Sequence, residues 1–67
     1  MTTTRLRELA GTYMARLFAL KAGYSSHMWK TASHRGSELT PERQPDIRKA
    51  AEEYRSQLDQ VIKELGK

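Results

Sequence analysis

Residues 18 to 32 read FALKAGYSSHMWKTA, and the spacing of their small and apolar side chains decides the fold of this chain. A small residue, Ala19, allows two helices to approach closely where they cross. Gly23, four residues later, permits the positive φ of a tight turn. Ser25 and Ser26 then offer caps for a following helix. The stretch therefore predicts two short helices that are joined by a turn at Gly23.

The second of these helices, near residues 26 to 34, has an apolar face and a polar face. Tyr24, Trp29 and Ala32 point inward in this arrangement, and their shared register makes Trp29 a core residue rather than one that stacks on a base. The opposite face carries polar side chains spaced i, i+3, i+4 and i+7, which are His27, Lys30, Thr31 and His34. An outward polar face of positive character is what a reader of the DNA major groove needs.

The residues that precede this stretch predict two short helices. Thr2 to Thr4 can cap a helix near residues 3 to 10. Gly11 interrupts that helix, and Thr12 is the predicted cap of the next one, near residues 13 to 22.

A competing interpretation is one helix from Arg5 to Ala22 that packs antiparallel on the last helix as a hairpin. It is supported by a regular apolar spacing at Leu6, Ala10, Tyr13, Leu17, Leu20 and Tyr24. Against it, Gly11 costs roughly 1 kcal/mol inside a helix. The hairpin also leaves some apolar side chains off its seam that four helices are expected to bury, namely Leu9, Met14 and Phe18.

The rest of the chain predicts a long C-terminal helix, near residues 41 to 64 or 65. Thr40 is its predicted cap, Pro41 takes the first helical position, and Pro45 lies early enough to bend the helix without ending it. An apolar stripe follows at Ile47, Ala51, Tyr54, Leu58, Val61 and Leu65. Because no β-alternation is present, we expect one all-α domain over residues 1 to 67. Its four helices include the helix pair within residues 13 to 35.

Length and charge limit the classes of function. A chain of 67 residues is expected to form one domain, and its net charge of +4 is unevenly distributed. Residues 1 to 36 hold six basic side chains against one acid, Glu8, a net charge of +5. Residues 37 to 67 hold six basic and seven acidic side chains. A half this basic attracts polyanions, which makes nucleic acid the first partner to consider.

The composition also argues against an enzyme. The chain contains no cysteine, which excludes disulfides and a thiolate zinc site. Ser25 and Ser26 precede His27, but no oriented acid follows, so no catalytic residue is expected. His27 and His34 lack the further ligands of a metal site, and no cofactor is expected. With neither a membrane-spanning run nor a signal peptide, we expect a soluble, cytoplasmic protein with no membrane partner.

Two motifs resemble one known family. Ala22-Gly23-Tyr24-Ser25 resembles the turn of the Cro and phage-repressor helix-turn-helix superfamily. Residues 39 to 47, LTPERQPDI, are similar to the helix start that follows this turn in Cro-like and antitoxin-related members. The resemblance covers roughly residues 9 to 51. The chain departs from the family at Trp29, where a smaller aliphatic residue is usual. It also departs at Met14 or Ala15, where glutamine or threonine often opens the first helix.

The resemblance implies a repressor that binds double-stranded DNA and blocks a promoter by occupying its operator. The positions that it implies to face the bases are Ser26, His27, Lys30 and Thr31. The positions that it implies to lie near phosphates are Ser25, His34 and Arg35.

The apolar stripe of the last helix is longer than three short helices can cover. Leu58, Val61, Ile62 and Leu65 continue the stripe, and burying each is worth about 1.5 to 3 kcal/mol before entropy. We therefore expect a homodimer through paired C-terminal helices. The alternative is a monomer in which the first two helices fold back over the stripe.

Two other functions remain open from the sequence. A helical hairpin could bind a host or partner protein through Met14 and Phe18, and this alternative predicts an unbroken helix through Gly11. An antitoxin could combine the same DNA-binding domain with a C-terminal helix that neutralises a toxin.

Overall fold

The computed structural model describes residues 1 to 66 and confirms the prediction of a small all-α domain with a long C-terminal helix. Four helices follow one another: α1 (Thr3–Ala10), α2 (Thr12–Lys21), α3 (Ser26–Arg35) and α4 (Gln44–Leu65). A short 3₁₀ helix, Pro41–Arg43, precedes α4. Extended pairing within residues 1 to 66 is limited to one isolated antiparallel bridge, between Thr2 and Glu38.

Gly11 separates α1 from α2. Its backbone has a φ of +87°, its amide donates to Arg7 O at 2.9 Å, and its carbonyl accepts from Ala15 N at 3.0 Å. It therefore ends one helix and begins the next, and the alternative of a single helix over residues 5 to 22 is wrong. Thr12 is the first residue of α2 rather than its cap, so no side-chain oxygen caps the α2 amides.

The chain reverses direction at Gly23, as its sequence predicts. Gly23 has a φ of +102°, and its amide donates to Leu20 O at 3.2 Å. The next amide, of Tyr24, donates to Ala19 O at 3.0 Å. This pair of bonds satisfies the last carbonyls of α2 in a Schellman motif. Ser25 then caps α3, because its hydroxyl accepts from the amide of Met28 at 3.1 Å.

The core lies where α1, α2 and α3 meet the first half of α4. Trp29 is buried and packs edge to face on Tyr24, with 5.8 Å between ring centroids. Its predicted place in the core is therefore confirmed. The other buried apolar side chains are Leu6, Ala15, Phe18, Ala19, Ala22, Leu39, Ile47 and Ala50. The expectation that Leu9 is buried is wrong, because α1 presents Thr3 and Leu6 to the core and turns Leu9 to the surface.

Hydrogen bonds from Thr3 hold the C-terminal end of α3 to the first residue of α1. Thr3 is fully buried, its hydroxyl donates to Ala32 O at 3.2 Å, and its amide donates to Ser37 O at 2.8 Å. Gly36, with a φ of +64°, ends the helix in the left-handed conformation. The orientation of α3 is thus fixed at both of its ends.

The start of the C-terminal helix differs from its prediction. The hydroxyl of Tyr24 donates to Thr40 Oγ1 at 3.2 Å and accepts from the Thr40 amide at 3.0 Å. Thr40 therefore makes no capping hydrogen bond. The chain forms the 3₁₀ helix first, and α4 begins at Gln44, one residue before Pro45. Arg43 lies over the Tyr24 ring, 5.0 Å from its centroid. These contacts tie the beginning of α4 to the turn between α2 and α3.

The second half of α4 extends beyond the core. We call its four large apolar side chains, Leu58, Val61, Ile62 and Leu65, the C-terminal stripe. Their exposed fractions range from 41% at Leu58 to 80% at Leu65. The first two helices do not fold back over this stripe, so the covered-monomer alternative is wrong. The described part of the molecule measures 44 × 20 × 19 Å. None of its helices is both long and apolar enough to cross a bilayer.

Candidate nucleic-acid interface

The outward face of α3 is built by the burial of its opposite side. Trp29 is buried and Ala32 is half-buried, which orients the ten-residue helix as a fixed element on the surface. The residues predicted to contact DNA are all exposed: Ser25, Ser26, His27, Lys30, Thr31, His34 and Arg35. A helix of this size fits the major groove of B-DNA, which is about 12 Å wide. The face is therefore accessible to a duplex.

The seven side chains occupy three parts of this surface. The helix period brings His27, Thr31 and His34 to the centre of the outward face, almost opposite Trp29. Lys30 lies on the flank nearer α2. Arg35 lies on the other flank, where it lines a groove that also contains Glu38.

The two serines lie at the N-terminal end of α3 and already have partners within the chain. The Ser25 hydroxyl accepts from Met28 N in the helix cap. The Ser26 hydroxyl accepts from Arg16 Nη2 at 3.4 Å, a long contact that joins α2 to α3. Helix capping alone accounts for Ser25, so its presence does not require a ligand.

Two further basic residues lie beside α3 and were missed by sequence reasoning. Arg7 from α1 and Arg16 from α2 line one surface cleft together with Lys30 from α3. We call this depression, which lies between the first turns of α2 and one side of α3, the basic cleft. The charge imbalance of residues 1 to 36 includes both arginines. No local pattern, however, shows that residues on either side of Gly11 converge next to Lys30.

The basic character of this surface is not neutralised by ion pairs. Among residues 1 to 66, ion pairs join the N-terminal amine to Glu38 at 3.2 Å and Arg48 to Glu52 at 3.0 Å. Neither pair involves the outward face of α3 or the basic cleft. A bound polyanion would therefore meet cations whose attraction is not already used by acids of the same chain.

Comparison of the chain with protein-family models, with curated protein sequences and with solved structures finds no significant match. The resemblance to Cro-like proteins therefore stays a prediction from two short motifs.

Proposed function

We propose that this protein is a transcriptional regulator that binds double-stranded DNA in a sequence-specific manner, with α3 as its recognition helix. The observation that carries the proposal is the outward polar face of α3, with His27, Lys30, Thr31 and His34 exposed together on a helix anchored by Trp29. The turn at Gly23 supports the proposal, because a helix-turn-helix motif needs such a turn to place its second helix in the major groove. Regulation would follow the Cro-like repressor mechanism, in which an occupied operator blocks the promoter.

The proposed interface makes two kinds of contact with DNA, one to base edges and one to phosphates. His27 and Thr31, at the centre of the face, and Lys30 beside them would contact base edges and supply sequence preference. Lys30 and Arg35, on its flanks, would neutralise phosphates and release counterions, which supplies affinity without sequence preference.

Selection of bound sites from a pool of random duplex DNA tests the proposal directly. We expect enrichment of a defined sequence, and failure to enrich any sequence would contradict specific recognition. Lys30→Ala should weaken binding to the selected duplex by about 1 to 3 kcal/mol, as measured by fluorescence anisotropy over a range of salt concentrations. Lys49→Ala is the matched control, because it removes the same charge from an exposed position on α4. Equal affinities for the two variants would argue against α3 as the recognition helix.

We also propose that two copies of the chain pair through the C-terminal stripe. Leu58, Val61 and Leu65 continue the spacing of a helix seam, and Ile62 lies beside them. The part of the chain that contains the stripe, residues 37 to 67, has a net charge of −1. Two copies of this part therefore repel each other little. Two-fold pairing would present two recognition helices to half-sites about one helical turn, ~34 Å, apart.

Sedimentation equilibrium over a range of protein concentrations tests this pairing. The wild-type chain should show a concentration-dependent dimer, and the double variant Ile62→Ser/Leu65→Ser should be a monomer. Gln60→Ser is the control, because it changes an exposed polar residue outside the stripe. A wild-type chain that stays monomeric at all concentrations, or a double variant that still dimerises, would contradict the proposal.

The exposed stripe also favours a second candidate function. In an antitoxin, the same apolar side chains of α4 would bind a toxin, while α3 binds DNA. Co-purification with the product of an adjacent reading frame, lost in Ile62→Ser/Leu65→Ser, would support this candidate over a repressor alone. The alternative of a helical hairpin that binds a partner protein through Met14 and Phe18 has less support, because Phe18 is buried and Met14 is half-buried against the core.

A further inference from the structure

The basic cleft brings together side chains from three helices. Its cations are Arg7 of α1, Arg16 of α2 and Lys30 of α3. The hydroxyl groups that line the same cleft are those of Thr12, Ser26 and Ser33, of which the last already donates to Lys30 O at 3.2 Å. Three cations and the hydroxyls of Thr12 and Ser26, which converge on one depression, form a surface suited to the oxygens of a phosphate group.

No acidic side chain lines this cleft. Glu8, the sole acid of residues 1 to 36, lies in the neighbouring depression on the other side of Arg7 and Thr12. It makes no ion pair with Arg7 or Arg16 within the part of the chain that the structure describes. The mutual repulsion of the three cations is thus not relieved from within residues 1 to 66. An anionic ligand would relieve it.

The two arginines are held differently, and both arrangements suit a bound anion. Arg7 is half-buried, so much of its stem is fixed by packing against the protein. Arg16 is exposed, and its Nη2 lies 3.4 Å from the Ser26 hydroxyl in the same cleft. A guanidinium that is already oriented loses less conformational freedom when it binds a phosphate.

We propose that the basic cleft binds backbone phosphate oxygens of duplex DNA, on the strand that borders the groove entered by α3. The inference rests on the proposed function and extends it to Arg7 and Arg16, two residues outside the recognition helix. Lys30 lies at the junction of the cleft and the outward face, so a helix in the groove and a phosphate in the cleft are neighbours.

The test measures binding to a duplex of about 20 base pairs at salt concentrations from about 50 to 200 mM, for the wild type and three variants. Arg16→Gln and Arg7→Gln/Arg16→Gln remove charge from the cleft. Arg55→Gln removes the same charge from an exposed position on α4 and is the matched control. Circular dichroism and urea unfolding of each variant verify that the domain remains folded, and exposed Arg16 makes the single variant the safer of the two.

Removal of each cleft arginine should reduce the magnitude of the slope of log K against log salt by about 0.9. The slope of the double variant should therefore be smaller than that of the wild type by about 1.8. Affinity of the double variant should fall by roughly tenfold or more at about 100 mM salt. The fall should be equal for selected and random duplexes, because phosphate contacts carry no sequence information. Arg55→Gln should leave the slope unchanged.

The outcomes separate this inference from the proposed function. If the wild type binds a selected site and the double variant keeps the same salt slope, the cleft is not a phosphate site, while the recognition helix stands. A double variant that changes which sequence is preferred would also overturn the inference. If the wild type binds no duplex at any salt concentration, both the function and the cleft assignment fail.

Discussion

The two halves of α4 carry the same apolar stripe in opposite surroundings. Ile47, in the first half, is 5% exposed and packs in the core, whereas Ile62, four turns later on the same side of the helix, is 67% exposed. Both are isoleucine, both lie inside one continuous helix, and both belong to the face that periodicity marks as apolar. The difference teaches that a helical period identifies which face is apolar, while the length of the neighbouring helices decides how much of it is covered.

The two halves also divide the surface into regions of different chemistry. The first half completes the domain that holds α3 in place, through Ala50 in the core and Tyr54 against Phe18, with 5.9 Å between the ring centroids. The second half exposes the C-terminal stripe. One helix thus supports a polar surface at one end of the molecule and an apolar surface at the other.

The largest expected effect compares the two isoleucines directly. Ile47→Ala should lower the free energy of unfolding by about 2 to 5 kcal/mol, because it leaves a cavity in the core. Ile62→Ala should change it by at most about 0.5 kcal/mol at a protein concentration low enough to keep the chain monomeric. Urea unfolding followed by circular dichroism measures both. If the two variants lose similar amounts of unfolding free energy at this low protein concentration, the second half of α4 is covered within a single chain.

A smaller effect compares a glycine of the packed domain with a glycine at the exposed end of α4. Gly23→Ala should lower the free energy of unfolding by about 1 to 2 kcal/mol, because the φ of +102° is unfavourable for any residue with a Cβ atom. Space is not the obstacle, since an added Cβ would lie 3.5 Å from Arg43 Nε, an ordinary contact.

Gly66→Ala is the control for that comparison. Gly66 has a φ of −79°, and an added Cβ would lie 3.2 Å from Ile62 O, a tight contact that the exposed last turn of α4 can relieve by a small shift. Its substitution should therefore change stability by about 0.5 kcal/mol or less. Thermal unfolding of both variants provides the measurement. A Gly23→Ala protein as stable as Gly66→Ala would show that the turn does not require a positive φ.

The smallest effect tests how Thr3 holds α3. Thr3→Val keeps the side-chain volume but removes the hydrogen bond to Ala32 O, and we expect a loss of about 1 kcal/mol. The loss stays modest because Ala32 O keeps a second donor, the amide of Ser37 at 3.1 Å. Thr4→Val, at the exposed neighbouring position, should be close to neutral. If urea unfolding finds the two variants equally stable, the buried hydrogen bond of Thr3 contributes nothing to the domain.

Much of the fold follows from local sequence. Gly11 and Gly23 separate the helices because a positive φ at each position is cheap only for glycine. Ser25 caps α3 because its hydroxyl reaches an amide three residues later, a contact that needs no distant partner. The exposed face of α3 was predictable for the same reason, since helical period alone sets His27 opposite Trp29.

The errors occur where a distant residue competes with a local pattern. Thr40 has the sequence of a helix cap, but Tyr24, sixteen residues earlier, takes its hydroxyl. Leu9 belongs to an apolar pattern, yet the core meets α1 along Thr3 and Leu6. The basic cleft could not be predicted either, because Arg7 and Arg16 approach Lys30 only after α1 and α2 have packed against α3.

The amino-acid sequence by itself determined the number of helices, the glycine positions that separate them and the polar face of α3. These features depend on backbone conformation and on contacts within one or two turns, which neighbouring residues control. Tertiary packing alone decided that three cations meet in one cleft, and it decided between an exposed C-terminal stripe and a stripe covered by the first two helices. Both depend on where separate helices end and cross, and this is a property of the packed chain rather than of any single segment.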